Sequence, residues 1–315
     1  EMASLEWTAG FTIDYSTQGN ANLIYKQGEK YLGMVYNNNQ TGLEQFYDIL
    51  GEDMIYDGTK ASWNESPGNS CATSIRHAWQ QISPTVNFSY SADMLPWYEE
   101  SGVVAIGDLD WSHYDGSNTL ISVFNQNSRE VLWEAYALML PGDALVRYID
   151  TGGHAQMITK APAVVRDKDG NIDPENSYLY FTEQNNLLNT MRDYPSSWKV
   201  DYPISFAAVS AGSYLPVSCR ELLEGRTEAP AYALSGFAVK DGALKGILKC
   251  NYCMNVITVT VTKDGTEVAS AQAIPYSRTA NLKTLNGDLK LEELGSGEYE
   301  LTVTVATGIE TKLVQ

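Results

Sequence analysis

The sequence predicts an α+β domain over residues 1–228 followed by an all-β sandwich over residues 229–315. Two observations lead there. Up to Glu228, apolar residues recur at helical spacing in three short segments, and consecutive strand-like runs then follow one another as a meander would. After Glu228-Ala229-Pro230 the chain reads as strands and turns alone, about 85 residues at the spacing of one small sandwich. With 43% apolar residues, seven Trp and twenty Tyr in 315 residues, both parts have enough apolar surface for a core.

The first helical segment is Gly42 to Ile49, with Leu43, Phe46 and Tyr47 on one side. The second is Ser70 to Ile82: Ser70 is a suitable N-cap, and Ile75, Ala78, Trp79 and Ile82 recur at helical spacing. Ser128 caps a third helix that runs to Met139, and Pro141-Gly142-Asp143 stops it. Strands are expected at Ala144 to Ile149, Ala155 to Lys160, Ala163 to Arg166 and Ser177 to Thr182. Beyond residue 228, Val256 to Thr262 alternates with period two and meets the turn Lys263-Asp264-Gly265-Thr266. Further strands read at Thr279 to Leu285, Asp288 to Leu291, Tyr299 to Val305 and Glu310 to Val314.

Charge and hydropathy exclude whole classes of function. A formal net charge of −18 is wrong for a nucleic-acid partner, which needs a basic surface, and for attachment to anionic lipid. No apolar run of about 18 residues reads as a membrane span. Glu1 to Gly10 lacks the charged and apolar regions of a signal peptide, so the expectation is either a cytosolic protein or a sequence that starts after a cleaved leader. Four cysteines are too few for a disulfide framework. Cys250 and Cys253 form a CxxC with only Cys219 as a third ligand; buried strand thiols are expected there, not zinc or a redox pair.

The residue that points to chemistry is Cys71, in Gly68-Asn69-Ser70-Cys71-Ala72-Thr73. A thiol at a helix N-terminus has its thiolate stabilised by the dipole and by backbone N–H groups without intrahelical partners. A free cysteine is ordinarily a small buried hydrophobe, so a base is required to make Cys71 a nucleophile. Only three histidines are present. His77 is on the same helix about 240° round from Cys71, and His113 lies in a polar loop. His154, after Gly152-Gly153, opens a strand beside a glycine turn and can project into a cleft. Glu183 ends the run Ser177-Tyr178-Leu179-Tyr180-Phe181 and would come alongside the imidazole, while Gln184 alternates to the opposite face.

Taken in order, Gly-Asn-Ser-Cys71 opening a helix, Leu140-Pro141-Gly142-Asp143 before a strand, Gly153-His154, and a polar residue ending the next strand resemble the NlpC-type cell-wall peptidases of the papain-like superfamily. The resemblance covers about residues 20 to 220, and it implies a papain-like catalytic domain with Cys71 as nucleophile, His154 as base and Glu183 as orienting residue. It also implies an oxyanion-binding tyrosine upstream of the cysteine, for which Tyr36 in Tyr31-Leu32-Gly33-Met34-Val35-Tyr36-Asn37 is the match. Ser70, Gly153, Gln184 and Trp111 are the expected substrate-binding residues. The nucleophile motif departs from the family's usual Asp-Cys-Ser-Gly, and Glu stands where His, Asn or Gln is common. Leu294 to Tyr299 resembles the corner before a late strand of an immunoglobulin-like sandwich, with Tyr299 as the corner tyrosine.

The expectation is therefore a secreted or surface bacterial cysteine hydrolase acting on peptide bonds of peptidoglycan stems, with no cofactor, no metal and no nucleic-acid partner. Its C-terminal domain would contact the wall or another protein. Asp167 to Asp173 is read as a hairpin turn and not as a calcium loop, because the bidentate ligand position falls on Tyr178. Two alternatives stand: an amidase or transpeptidase using the same triad, and a non-catalytic wall-binding or adhesion protein with a degenerate papain-like domain.

Overall fold

A computed structural model describes every residue except 17–22, 58–66, 97–100, 113–119, 151 and 226–227. The chain forms two compact units, Glu1–Trp79 with Thr85–Gly225, and Gln80–Pro84 with Arg226–Gln315. The N-terminal unit contains strands β1 (Glu6–Ala9), β2 (Ile13–Asp14), β3 (Ile24–Tyr25), β4 (Lys30–Leu32), β5 (Ile55–Tyr56), β6 (Val103–Ala105), β7 (Ala144–Ile149), β8 (Gly152–Ala163), β9 (Tyr178–Asn189), β10 (Ser196–Ser205) and β11 (Leu215–Cys219). Its helices are α1 (Leu43–Leu50), α2 (Cys71–Trp79), α3 (Ile121–Gln126), α4 (Arg129–Ala137), α5 (Phe206–Ala211) and α6 (Arg220–Leu223).

Nine of these strands join in one sheet, in the order β5-β1-β4-β10-β9-β8-β7-β11-β6. It is mixed: β5 runs parallel to β1 and β10 parallel to β4, while β7 to β10 form an antiparallel meander. Among the described residues, 42% are in strands against 20% in helices. The α+β papain-like (NlpC-type) domain is therefore corrected to a mostly β unit built on a large mixed sheet. The strands that change the class escaped notice for physical reasons. β1, β4, β5 and β6 have two to four residues each, too few to show a period. β11 is buried along its whole length, so it lacks alternation, and β10 contains Pro203.

The helices lie close to where the pattern places them. α1 begins at Leu43 after Gly42, whose backbone N–H donates to the side chain of Gln45. α4 is capped by Ser128, which accepts from Val131 N–H at 3.3 Å. α2 opens at Cys71 and ends at Trp79, three residues before the expected stop. Its Ile75 and Trp79 pack into a core with Val146, Ala155, Ile158, Leu179 and Phe181 of the meander. Trp79 also donates its indole N–H to the Gly142 carbonyl at 2.7 Å, fixing the helix over the Pro-Gly-Asp turn. No separate strand forms over Ala163 to Arg166: Ala163 is the last residue of a longer β8, 164 and 165 lie outside it, and Arg166 makes an isolated bridge to Ile172 across the Asp167 turn. In that turn the Asp167 N–H donates to the Asn171 carbonyl at 2.8 Å, and Asp167 Oδ1 accepts from the Asp169 and Asn171 N–H groups at 2.9 Å.

The C-terminal unit has β12 (Tyr232–Lys240), β13 (Ala243–Lys263), β14 (Thr266–Ala273), β15 (Ser277–Asn281), β16 (Glu300–Thr307), β17 (Thr311–Leu313) and helix α7 (Asn286–Leu289). The 21-residue β13 pairs with β12 and β15 in its first half and with β14 and β16 in its second. All six strands thus belong to one continuous sheet, which replaces the expected immunoglobulin-like sandwich of two sheets. Along β13, Leu244, Leu248, Cys250, Tyr252 and Met254 are buried, and then the phase flips to Ile257, Val259 and Val261. Register shifts around Met254 mark an irregularity that swaps the two faces, so one strand serves the core at both ends.

The expected strand Asp288 to Leu291 and the latter part of Thr279 to Leu285 are instead helical. Leu282, Leu285 and Leu289 are buried at helical spacing, and Asn281 caps the turn by accepting from Lys283 N–H at 3.2 Å. Tyr299 donates its hydroxyl to the Gly295 carbonyl at 2.7 Å, a corner bond made here on a single sheet. All four cysteines are free buried thiols, and burial raises those of Cys250 and Cys253, the latter to about 11. Among the described residues, no group of three His, Cys, Asp or Glu side chains is arranged to hold a metal, and no helix is long and apolar enough to cross a membrane.

Candidate active site

Helix α2, strands β8 and β9 and the segment around Tyr36 build the site at Cys71. The helix start is set by Ser70 and Thr73: the Ser70 N–H donates to the Thr73 hydroxyl at 2.7 Å, the reciprocal half of a capping box. Upstream, Asn69 makes a parallel bridge to Tyr36, with Asn37 N–H to Asn69 O at 3.0 Å and Asn69 N–H to Val35 O at 3.2 Å. That pairing brings Tyr36 beside the nucleophile although 35 residues separate them in sequence. It needs Gly68, because a Cβ there would lie 2.4 Å from the Val35 carbonyl oxygen.

The base comes from β8 and its partner from β9. Met157 pairs with Thr182, which puts Gln156 across from Glu183 and His154 on the diagonal, all on one face. His154 Nε2 is 2.7 Å from Glu183 Oε2. With Nε2 engaged there, Nδ1 is the nitrogen left for the Cys71 thiol, and the two side chains share a hydrogen bond. Glu183 is 4% exposed and fully engaged. Oε2 also accepts from Gln156 Nε2 at 2.7 Å, and Oε1 meets Lys199 Nζ and Asn185 Nδ2, each at 2.9 Å.

The electrostatics favour a thiolate–imidazolium pair. Burial alone would raise the Cys71 thiol, but the His154 hydrogen bond and charge, with the Ala155 and Ala72 N–H groups, bring it below the ordinary value. Burial likewise opposes charge on His154, yet Cys71 and Glu183 together raise it from 6.5 to about 9. Glu183 resists the upward push of burial because His154, Gln156 and Lys199 hold its carboxylate well below the usual range. Burial and then the charge of Cys71 push the Tyr36 hydroxyl far above its ordinary value, so it remains a protonated donor.

A cleft of about 280 Å³ opens over the thiol, lined by Tyr36, Asn38, Ser70, Cys71, Tyr90, Ser91, Tyr148 and Gly153 among others. A Cβ on Gly153 would sit 1.8 Å from Ser91 Oγ, so a larger residue there forces the Ser91 hydroxyl to turn away. Behind the base, the Tyr214 ring meets the His154 ring edge-on at 6.3 Å, and Arg147 lies 5.1 Å over Tyr214.

Six of the eight sequence-derived positions therefore come together: Cys71, His154, Glu183, Tyr36, Ser70 and Gly153. Two do not join the cleft. Gln184 is completely buried and donates to the Met34 carbonyl at 2.7 Å, tying β9 to the segment before Tyr36. Trp111 packs against the hydrophobic core of the unit. The weaker histidine candidates part company too: His77 is held below its ordinary value, to about 4, mainly by burial, and His113 falls outside the described residues. Gln156 and Lys199 were missed. Period-two spacing from His154 does single out Gln156, whereas nothing marks Lys199 until β10 is known.

No family model, curated protein or solved structure matches the chain.

Proposed function

We propose that the N-terminal unit is a cysteine hydrolase that cleaves amide bonds by acyl transfer through Cys71. The observation that supports it most strongly is the Cys71–His154–Glu183 chain opening onto a cleft, with a 2.7 Å bond between base and orienting carboxylate. In the first step the Cys71 thiolate adds to the amide carbon, forming a C–S bond and moving the carbonyl electrons onto oxygen. The Cys71 N–H at the start of α2 and the Tyr36 hydroxyl are the donors available to that oxyanion. The C–N bond then breaks as His154 Nδ1 gives its proton to the departing amine, leaving a thioester. Water adds to the thioester with its proton passing to His154, and the C–S bond breaks to free the acid and the thiol.

The segment order shared with NlpC-type cell-wall peptidases makes peptide bonds in peptidoglycan stems the first substrates to test, and such a substrate would place the protein at or beyond the cell surface. In this reading the C-terminal unit serves as a contact module for the wall or a protein. The test is mass spectrometry of peptidoglycan fragments incubated with wild type and with Cys71→Ala. Stem-peptide cleavage by wild type alone supports the proposal; equal cleavage by the variant removes Cys71 from the chemistry.

A further inference from the structure

Glu183 is held by more than its histidine. Each of its oxygens has two partners: His154 and Gln156 on Oε2, Lys199 and Asn185 on Oε1. Lys199 is the only cation among them besides His154 itself. It lies directly across from Glu183 in the β9–β10 register, on the same face, and its side chain is 28% exposed. An ion pair with one partner 4% exposed is screened far less than a surface pair.

We propose that Lys199 is a positioning residue acting on the triad through Glu183 by charge: its ammonium, 2.9 Å from Oε1, offsets part of the carboxylate charge that the imidazole feels, while Gln156 and Asn185 keep the carboxylate in place. The inference rests on the cysteine-hydrolase reading. Other titratable or charged groups around His154 are Cys71 from α2, Tyr36 from the segment bridged to Asn69, Glu183 from β9, Tyr214 after α5, and Arg147, which pairs with His154 across β7. Unlike these, Lys199 bears on His154 through the carboxylate that orients it.

Removing that cation leaves Gln156 and Asn185 to hold Glu183, with its charge now balanced by His154 alone. The imidazolium becomes harder to deprotonate, and proton donation to the leaving amine slows. In Lys199→Met, the His154 midpoint followed by proton NMR should rise by about one pH unit. The same variant should lose roughly tenfold in kcat at neutral pH with little change in KM. Lys199→Gln should match it, and Lys199→Arg should return both quantities toward wild type. The resonance is assigned by its loss in His154→Ala, and folding is checked by near-ultraviolet circular dichroism. A midpoint that stays put or falls in the folded neutral variants overturns the proposal, whatever the rate does. The titration needs no substrate, so a failure here is distinct from a failure of the hydrolase reading, which would show as absent cleavage by wild type.

Discussion

Replacing Glu183 with Gln keeps the shape of the side chain and removes its charge, so it isolates what the carboxylate does for the Cys71–His154 pair. His154 is raised from 6.5 to about 9, which corresponds to about 3 kcal/mol in favour of the imidazolium. Cys71 and Glu183 are the two groups responsible. Glu183→Gln removes one of the two groups that overcome burial at His154, so it should weaken the ion pair by something on the order of 1 kcal/mol or more. The thiolate should then form at a higher pH than in wild type. The assay is the rate of iodoacetamide labelling at Cys71 against pH, with the site located by mass spectrometry because three other thiols are present. Hydrolysis should fall further, by roughly 10²- to 10⁴-fold, because the amide also unsettles the imidazole's tautomer and orientation. An unchanged labelling profile in a folded Glu183→Gln protein would refute the electrostatic part of the argument, since no charge would then be felt across the 2.7 Å bond.

Other consequences follow from the same geometry. Wild-type kcat/KM should rise with pH as the thiol ionises below its ordinary value and fall as His154 loses its proton near 9; a profile still climbing at pH 10 would contradict the raised histidine. Tyr36→Phe removes one proposed oxyanion donor and should lower kcat about 10- to 100-fold while leaving KM nearly unchanged, as steady-state kinetics would show. Gly153→Ala places a Cβ 1.8 Å from Ser91 Oγ and displaces that hydroxyl at the cleft, so it should lower activity with at most a small drop in melting temperature. The double variant Gly153→Ala/Ser91→Ala, with no hydroxyl to displace, should recover activity, and failure to do so would locate the clash elsewhere.

What could be read from the sequence differs between site and fold. Cys71, His154 and Glu183 were legible because each stands at a local signal: a capped helix start, a glycine turn before a strand, and the polar end of an apolar run. Tyr36 was reached only through the resemblance, and its proximity to Cys71 depends on a single parallel bridge through Asn69 that no local pattern encodes. Gln184 and Trp111 were misplaced because a polar or aromatic residue near a cleft in sequence can equally brace it from behind, as Gln184 does through the Met34 carbonyl. The fold class was harder. The nine-stranded sheet depends on short strands such as β4 and β6, whose identity comes from their partners and not from their own three residues. In the C-terminal unit, the buried Leu282, Leu285 and Leu289 do follow a helical period, but the surrounding strands masked it. The face change within β13 comes from irregular pairing around Met254, which composition does not reveal.

The most direct test of the account is to trap the intermediate it requires. Wild-type protein mixed with peptidoglycan stem peptides and quenched in acid within one turnover should carry, by intact-mass and peptide-mapping spectrometry, an acyl group on Cys71 that disappears as product accumulates. Product release without any adduct on Cys71, continuing undiminished in Cys71→Ala, would contradict it.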